Sequence, residues 1–285
     1  RGSLPSHTDV VVIGGGIAGA AMAYYLSKAG IEVVLVDRGE LNREASGTNA
    51  GSFHLQLAIH QLSGQGTGAD RDRLLAEARL SLEADAVWQG LGAELNGSLD
   101  VHRTGGWMVA ETAEQLKTLY DKYELEQLAG IETEVVVGNA LRERAPYLAE
   151  TIIGATYCPA EGHANPLVVA PLYALRAVQQ GAVIRTHTAV RRIDVHGPGA
   201  RRFTVHTDGG QIHAHRIVDC GGAWSGELAE LVGIRLPVRH EGLHVNVTEP
   251  RPHILTPMVQ HIGRRLTLKQ TEANTFIIGG GWPSP

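Results

Sequence analysis

Three glycines near the beginning of the sequence have the spacing that lets a backbone approach a dinucleotide. Gly14, Gly16 and Gly19 form the pattern G-x-G-x-x-G. In such a pattern the first glycine permits a tight turn, the second admits a pyrophosphate, and the third lets a helix pack closely on a strand. Asp37 follows about 20 residues later, where an acid accepts hydrogen bonds from a ribose. These residues predict a nucleotide-binding turn, and the acid disfavours the 2′-phosphate of NADP.

Such a turn requires a strand before the glycines, a helix after them and a second strand that ends at the acid. Val10–Ile13 is an apolar run typical of a strand buried on both faces. Apolar residues then recur at helical spacing over Ile17–Ala29, and Ile31–Val36 is a second apolar run. The helix N-terminus, at Ile17 and Ala18, would offer N–H groups and a partial positive charge to phosphates. The alternative is a glycine turn in a βαβ unit that binds nothing.

Two further segments could contact a cofactor. Ser46–Gly51 is small and polar, and its backbone N–H groups could reach the heteroatoms of a planar ring; the alternative is an ordinary surface loop. Arg216–Ser225 predicts a buried strand, a glycine turn and the start of a helix. Gly221 and Gly222 would allow a second close approach of backbone to a dinucleotide, or would simply make a tight strand–helix turn.

Composition narrows the functional classes. The 285 residues are 43% apolar and 19% charged, enough for one large domain or two. A net charge of −5 without basic clusters gives no reason to expect nucleic acid binding. No apolar run is long enough to span a membrane, and no signal peptide is evident. With two cysteines and no disulfide framework, a reducing cytoplasm is the expected location. Arg1-Gly2-Ser3 resembles the remnant of an expression tag.

Cysteines and histidines predict neither a disulfide framework nor a metal site. The two cysteines form no C-x-x-C pair. His240 and His244 have the i, i+4 spacing of a helical metal pair, but they lie in a stretch that alternates like a strand. His213 and His215 would share one strand face without further ligands nearby.

A helix is expected over Asp70–Gln89, and the composition then shifts. The block that follows resembles an inserted α+β module and begins with two short strands within Leu99–Ala110. Thr112 and Gln115 form a possible capping box for a second helix. Ser63–Gly68 is predicted to be a flexible connection. Shorter predictions complete the chain: a polar turn at Glu161–Pro166, a helix over Leu167–Gln180, a hairpin turn at Gly197-Pro198-Gly199, and strands from Leu236 onward.

Several segments in order resemble one known family. They read IGGGIAGAAMAYYLSKAG followed by VVLVDR, then EASGTNAG, TGGWMVAET, GHANPLVVAPLYALRAVQQGAVI and IVDCGGAWS. In that order they resemble the FAD-dependent D-amino acid oxidase-like family, which includes glycine oxidase, sarcosine oxidase and amine dehydrogenase subunits. The resemblance runs along almost the whole chain.

The resemblance implies FAD as the cofactor and assigns residues to it. Those expected to bind FAD are Gly14, Gly16, Ile17, Ala18, Gly19, Asp37, Arg38, Ser46, Gly47, Thr48, Asn49, Ala50, Gly51, Val190, Cys220, Gly221, Gly222 and Trp224. Those expected near the substrate are His54, His163, Asn165, His240 and His261. Arg103, Arg239, Arg264 and Arg265 are candidates for binding a substrate carboxylate, and no catalytic residue is assigned.

The implied fold class is α/β, with a Rossmann-like FAD-binding domain and a mixed-sheet α+β substrate domain, both discontinuous in sequence. The FAD-binding domain would comprise residues 1–90 and 150–235, and the substrate domain residues 91–149 and 236–285. The family's C-terminal return to the FAD-binding domain is expected to be absent.

The implied reaction is oxidation of the C–N bond of an amino acid or N-substituted amino acid by hydride transfer to the flavin. Two alternatives stay open. One is a flavin-binding subunit or fragment that acts only in a complex, with partner subunits or a second copy of the chain. The other is an NAD-linked dehydrogenase, which the first βαβ unit permits.

Overall fold

The computed structural model describes residues 3–58, 68–197 and 202–283. The chain divides into two compact units: the first comprises Arg1–Asn49 and Asn165–His240, and the second Ala50–Ala164 and Glu241–Pro285. The predicted flexible connection lies outside the described residues except for its last glycine, and the predicted hairpin turn lies outside them except for Gly197.

The first unit is built on a six-stranded sheet. The strands are β1 (His7–Ile13), β2 (Val33–Val36), β9 (Val183–Arg185), β10 (Val190–Val195), β11 (Phe203–Thr207) and β12 (Gly210–Asp219), in the spatial order β10-β11-β12-β1-β2-β9. Strand β1 pairs in parallel with β12 and β2, and β2 with β9, whereas β10, β11 and β12 pair antiparallel. The helices are α1 (Ile17–Lys28), α2 (Ala45–Thr48), α6 (Val169–Gln179) and α7 (Ser225–Glu230), with a short 3-10 turn at Gly222–Trp224.

The centre of this sheet is apolar because β1 and β2 are covered on both faces. All four residues of β2 are buried, and so are the last four of β1. Helix α1 ends where predicted, at a glycine with positive φ, Gly30. The predicted second strand begins two residues late because the N–H of Ile31 still donates to the Leu26 carbonyl at the helix end.

The second unit is built on a seven-stranded mixed sheet and a three-stranded sheet. Its strands are β3 (Ser52–Phe53), β4 (Val101–His102), β5 (Gly106–Ala110), β6 (Glu134–Val137), β7 (Gly154–Cys158), β8 (Gly162–Ala164), β13 (Leu243–Pro250), β14 (Met258–His261), β15 (Thr267–Gln270) and β16 (Thr275–Pro283). The larger sheet has the order β13-β16-β15-β14-β5-β7-β6, and the smaller has the order β3-β8-β4. The helices are α3 (Gly68–Glu94), α4 (Ala113–Ala129) and α5 (Gly138–Arg144).

Helix α3 belongs to this second unit because it packs against α4. Leu74 and Ala78 of α3 share a buried cluster with Leu125 and Ala129 of α4. The domain boundaries expected from the sequence place residues 50–90 and 150–164 with the nucleotide-binding part instead. Those boundaries stay a prediction.

The two short strands predicted within Leu99–Ala110 exist, and β4 pairs with β8 while β5 pairs with β7 and β14. Two other local expectations differ from the structure. The polar turn expected from Glu161 contains strand β8, because its backbone bridges β3 and β4. The strand expected from Leu236 begins only at Leu243, where pairing with β16 starts.

None of the helices in the described ranges has both the length and the apolar character needed to cross a lipid bilayer.

Candidate functional site

The predicted nucleotide-binding residues follow three adjacent parallel strands of the first unit. Gly14 follows β1, Asp37 follows β2 and Cys220 follows β12, and the three strands lie in the order β12-β1-β2. Because the strands are parallel, these positions meet at the carboxyl edge of the sheet, where open α/β sheets bind ligands.

Each glycine of the first turn has its own steric environment. Gly14 has φ +109°, and a Cβ there would collide with the carbonyl of Cys220. A Cβ on Gly19 would collide with the carbonyl oxygen of Gly14. A Cβ on Gly16 would meet only the Ser46 side chain, 2.8 Å from its Oγ. The first and third glycines are therefore required by the backbone packing of the protein itself, whereas the atoms nearest to a Cβ at Gly16 belong to the Ser46 side chain.

The N-terminus of α1 can receive an anion. No side chain caps Gly16 and no acid lies in the first turn of α1. The Ile17 N–H donates to Ser46 Oγ at 3.0 Å, which brings the segment after β2 onto the helix end. Backbone N–H groups and the helix dipole favour a phosphate at such a position.

Asp37 is held in place by backbone donors. Its Oδ2 accepts a hydrogen bond from the Gly15 N–H at 2.6 Å, and its Oδ1 accepts one from the Gly39 N–H at 2.7 Å. Each carboxylate oxygen retains a further lone pair for a hydroxyl donor. The ribose role of Asp37 stays a prediction, and the geometry is compatible with it.

The second glycine turn lies beside the first. The Cys220 N–H donates to the Ile13 carbonyl at 2.8 Å. Asp219 Oδ1 accepts from the Gly221 N–H at 2.8 Å and from Ser225 Oγ at 3.0 Å, which shapes the turn. Gly222 has φ +57°.

Two residues predicted to bind the cofactor are in contact above this edge. The Arg38 guanidinium lies 3.7 Å from the centre of the Trp224 ring, a cation–π distance. Arg38 also pairs with Glu44 at 3.2 Å. The segment after β2 and the turn after β12 are thus linked by a cation–π contact.

The segment expected as a loop from Ser46 contains a helical turn, α2. The side chain of Asn49 closes it, since its Nδ2 donates to the carbonyls of Ala45 at 3.0 Å and Ser46 at 2.8 Å. Thr48 Oγ1 donates to the Glu44 carbonyl at 3.1 Å. A Cβ on Gly47 would collide with the Asn42 carbonyl, so the glycine is needed for this turn.

Val190, predicted to meet the adenine with its backbone, is the first residue of β10. It pairs with Thr207, and the register shifts immediately afterwards, before Arg192. This irregularity is a β-bulge position, and such positions often redirect backbone groups. The adenine contact stays a prediction.

The remaining cofactor residues and one substrate candidate lie in the second unit. The Gly51 carbonyl accepts from the Ala164 N–H at 2.8 Å. His54 keeps exposed surface, while desolvation, and secondarily the charge of Lys269, lower its pKa to about 4. The Ala50 carbonyl accepts a hydrogen bond from Lys269 Nζ.

His163 and His261 are both buried histidines of the second unit. Neither ring nitrogen of His163 has a hydrogen-bond partner among the described residues, and the ring stacks on His102 with centroids 5.1 Å apart. Desolvation, followed by the charge of Lys269, lowers the pKa of His163 to about 4. His261 Nδ1 accepts from the Gly263 N–H at 3.0 Å, and its Nε2 lies 3.2 Å from Glu111. Those contacts give His261 a structural role, and a substrate role for either residue stays a prediction.

Asn165 and His240 belong to the first unit. Asn165 Oδ1 accepts from the Leu167 N–H at 3.0 Å and so shapes the turn before α6. His240 is exposed, and its ring centroid lies 6.4 Å from that of Trp224. The substrate roles of these two residues also stay predictions.

Two of the candidate carboxylate-binding arginines already have acidic partners. Arg103 forms an ion pair with the buried Asp85 and donates to the Ala160 carbonyl at 2.7 Å. Arg264 pairs with Glu111. Within the described ranges, no group of three or more His, Cys, Asp or Glu side chains is arranged to hold a metal ion.

One buried lysine was not predicted from the sequence. Lys269, on β15, is buried and donates to the Ala50 carbonyl and to Ser52 Oγ. The signal in the sequence was a cation inside a stretch that otherwise has the pattern of a strand.

Comparison with known proteins decides the family. The family described as FAD dependent oxidoreductase matches residues 9–284. The chain belongs to this family. It is 28% identical to glycine oxidase of Bacillus subtilis (strain 168) over 246 residues, covering 84% of this chain and 61% of that protein. It is also 28% identical to an opine oxidase subunit of Rhizobium meliloti, covering 85% and 63%. The chain thus spans about three fifths of the length of these curated relatives.

The fold is shared with solved structures. The crystal structure of L-proline dehydrogenase from P. horikoshii superimposes with a TM-score of 0.83 at 23% identity, covering 98% of this chain and 71% of that chain. The predicted fold class is confirmed, and the family membership identifies FAD rather than NAD as the cofactor.

The first unit of this family member fits the adenosine and pyrophosphate part of FAD. Gly16 lies at a helix end without a side-chain cap, and the Asp37 carboxylate is fixed one strand away. Ile17, Ala18 and Gly19 would turn backbone N–H groups toward the pyrophosphate, as the helix N-terminus does in this motif.

Replacing Asp37 by alanine should weaken FAD binding by about 1.5–3 kcal/mol, the loss expected for a hydrogen bond to a charged group. Titration of the FAD-free chain with FAD, followed by quenching of flavin fluorescence, measures this change. Asp37→Asn is the matched control, because it retains an acceptor for one backbone N–H group. Equal affinity of wild type and Asp37→Ala would show that the ribose does not bind here.

Labelling of the two cysteines tests the second glycine turn. Desolvation raises the pKa of the Cys158 thiol to about 12, so this buried residue should react with a thiol reagent only after unfolding. Desolvation, and then the charge of Asp219, also raise the pKa of Cys220, which is partly exposed. Cys220 should therefore react slowly, and bound FAD should slow it further. Mass spectrometry of labelled peptides gives both rates. Labelling of Cys220 at the same rate with and without FAD would contradict its predicted contact with the cofactor.

Proposed function

We propose that this chain oxidises the C–N bond of an amino acid or N-substituted amino acid by hydride transfer to bound FAD. The observation that carries the proposal is the meeting of two glycine turns and a fixed carboxylate at one edge of the parallel sheet. Family membership supplies the cofactor. The names of the relatives, a glycine oxidase and an opine oxidase subunit, support the substrate class.

The protein's own contribution is binding and orientation. FAD, when bound, supplies the acceptor for the hydride. The first unit would hold the pyrophosphate at α1 and the ribose at Asp37, which would fix the cofactor at its adenosine end. Keeping a C–H bond aligned and excluding water are the tasks of the residues that line the substrate site in this chemistry. The candidates for that lining remain His54, His163, Asn165, His240 and His261.

The visible absorption of the purified chain tests the cofactor, and anaerobic reduction tests the substrate. We expect flavin bands that stay with the protein through gel filtration after incubation with FAD. Glycine, sarcosine, proline, D-amino acids and opines are then added one at a time without oxygen. Bleaching of the flavin by one of them identifies the substrate, whereas full reduction by dithionite without reduction by any amine would refute the proposed substrate class.

A second candidate is a flavin-binding subunit that works in a complex. The similarity to the opine oxidase subunit of Rhizobium meliloti favours it. So does the similarity, at 30% identity, to a subunit of the anaerobic glycerol-3-phosphate dehydrogenase of Haloferax volcanii. Oxygen consumption by the isolated chain is compared with reduction of an artificial electron acceptor. Amine-dependent reduction of the acceptor with little oxygen uptake would favour this candidate, and the mass in size-exclusion chromatography would reveal self-association.

A further inference from the structure

The segment Ala50–Phe53 leads from the predicted flavin-facing residues into the second unit. Its backbone is held at Gly51 by the Ala164 N–H and by pairing of Ser52 with His163 across β3 and β8. These contacts attach the backbone of the segment to the three-stranded sheet.

A second attachment comes from the seven-stranded sheet. Lys269 of β15 donates to the Ala50 carbonyl and, at 3.2 Å, to Ser52 Oγ. Lys269 is 3% exposed. It therefore joins the two sheets of the second unit at the residues that immediately follow the Ser46–Asn49 turn in sequence.

The acceptors of this buried ammonium are neutral. In the described ranges no carboxylate forms an ion pair with Lys269. Desolvation lowers the pKa of its ammonium to about 8. A buried cation needs hydrogen bonds to offset the loss of hydration. The two oxygens of Ala50 and Ser52 supply them, so the lysine and the segment are ordered together.

We propose that Lys269 is a positioning residue that holds Ala50 and Ser52 in the conformation in which this segment binds FAD. The inference rests on the proposed function, since it assigns the segment to the flavin. It adds Lys269, from strand β15, to the predicted FAD-binding residues, all of which lie earlier in the sequence.

Hydrogen exchange tests the attachment without cofactor. In the FAD-free Lys269→Met variant we expect faster amide exchange at Gly51, Ser52 and Phe53, with unchanged exchange in β5 and β7. Ser52→Ala removes one acceptor and should give a smaller increase at the same amides, which keeps the test decisive if Lys269→Met does not fold. Lys117→Met, which removes an exposed lysine, is the control for lost charge.

FAD titration tests the consequence. Lys269→Met should bind FAD about 10- to 100-fold more weakly than wild type, the effect of losing hydrogen bonds from a charged donor. Unchanged exchange at the three amides, a uniform increase throughout the second unit, or unchanged FAD affinity would each overturn the inference. If the wild-type chain bound no FAD, the proposed function would fail, while the exchange experiment would still show whether Lys269 holds the segment.

Discussion

Replacing Gly16 by valine should weaken FAD binding by at least about 100-fold. Gly16 has φ −75°, which any residue adopts, so the backbone of the variant is unstrained. The added side chain meets the Ser46 side chain, projects at the N-terminus of α1 and excludes the pyrophosphate from the backbone donors there. Losing two hydrogen bonds to a charged group costs about 3–6 kcal/mol, and about 1.4 kcal/mol is tenfold in affinity.

Fluorescence titration with FAD measures this affinity, and unfolding by urea checks that the variant is folded. Gly90→Val is the matched control, because a Cβ at Gly90 has no neighbour within 4 Å. Retention of wild-type FAD affinity by folded Gly16→Val would place the pyrophosphate elsewhere.

Replacing Lys122 by methionine should destabilise the folded chain by about 3–5 kcal/mol, the cost of removing one partner from a buried ion pair. Lys122 and Glu126 are both fully buried on α4, with Nζ and Oε1 2.7 Å apart. Desolvation lowers the pKa of Lys122 and raises the pKa of Glu126, so burial disfavours the charged form of both side chains. The contact between the two side chains has the opposite effect and favours both charged forms.

The lysine also supports a wider buried network. Its Nζ donates to Gln56 Oε1 at 2.9 Å and to Thr156 Oγ1 at 3.3 Å. Glu161, fully buried nearby, accepts from the N–H groups of Leu55 and Gln56, both at 2.9 Å. Methionine would leave the two carboxylates without a cation and would remove the lysine donor from Gln56 Oε1, which still accepts from Thr156 Oγ1 at 2.7 Å.

Urea unfolding of wild type and Lys122→Met measures the loss. Lys117→Met is the control, since its exposed i, i+4 pair with Asp121 should contribute no more than about 1 kcal/mol. The loss of unfolding free energy should be smaller at about pH 5 than at about pH 8. Burial raises the pKa of the Glu126 carboxyl, and the variant lacks the lysine that opposes this rise. The carboxyl of the variant therefore stabilises the fold as it takes up a proton at the lower pH. Equal stabilities of wild type and Lys122→Met would mean that the pair is not buried in solution.

Local signals made much of the fold predictable. Thr112 and Gln115 form the predicted cap of α4: Thr112 Oγ1 accepts from the Gln115 N–H at 3.2 Å, while Gln115 Oε1 accepts from the Glu111 N–H at 2.8 Å. The glycine turn after β1 was equally predictable, because its strand, helix and acid are contiguous in sequence. Both depend on interactions within a few tens of residues.

Long-range contacts explain what the sequence did not reveal. Lys122 and Glu126 have the i, i+4 spacing of an ordinary surface pair. Lys122 lies three residues after the buried Leu119, on the same helix face, but its distant partners Gln56 and Thr156 become visible only in the folded chain. The same holds for Lys269, whose acceptors are more than 200 positions away. The residues that contact the substrate depend on such long-range contacts, and the sequence alone did not identify them for that reason.

The pairing of β1 with β12 also has a consequence for the synthesis of this protein on the ribosome. The paired residues are 206 positions apart, from His7 with His213 to Ile13 with Asp219. At about 5–20 residues per second, a ribosome needs roughly 10–40 s to supply that partner. During this interval β1 lacks the strand that pairs with one of its edges, and β1 ends in four consecutive apolar residues. Nascent protein should therefore aggregate readily, and chaperones that shield emerging hydrophobic segments should improve the yield of soluble protein.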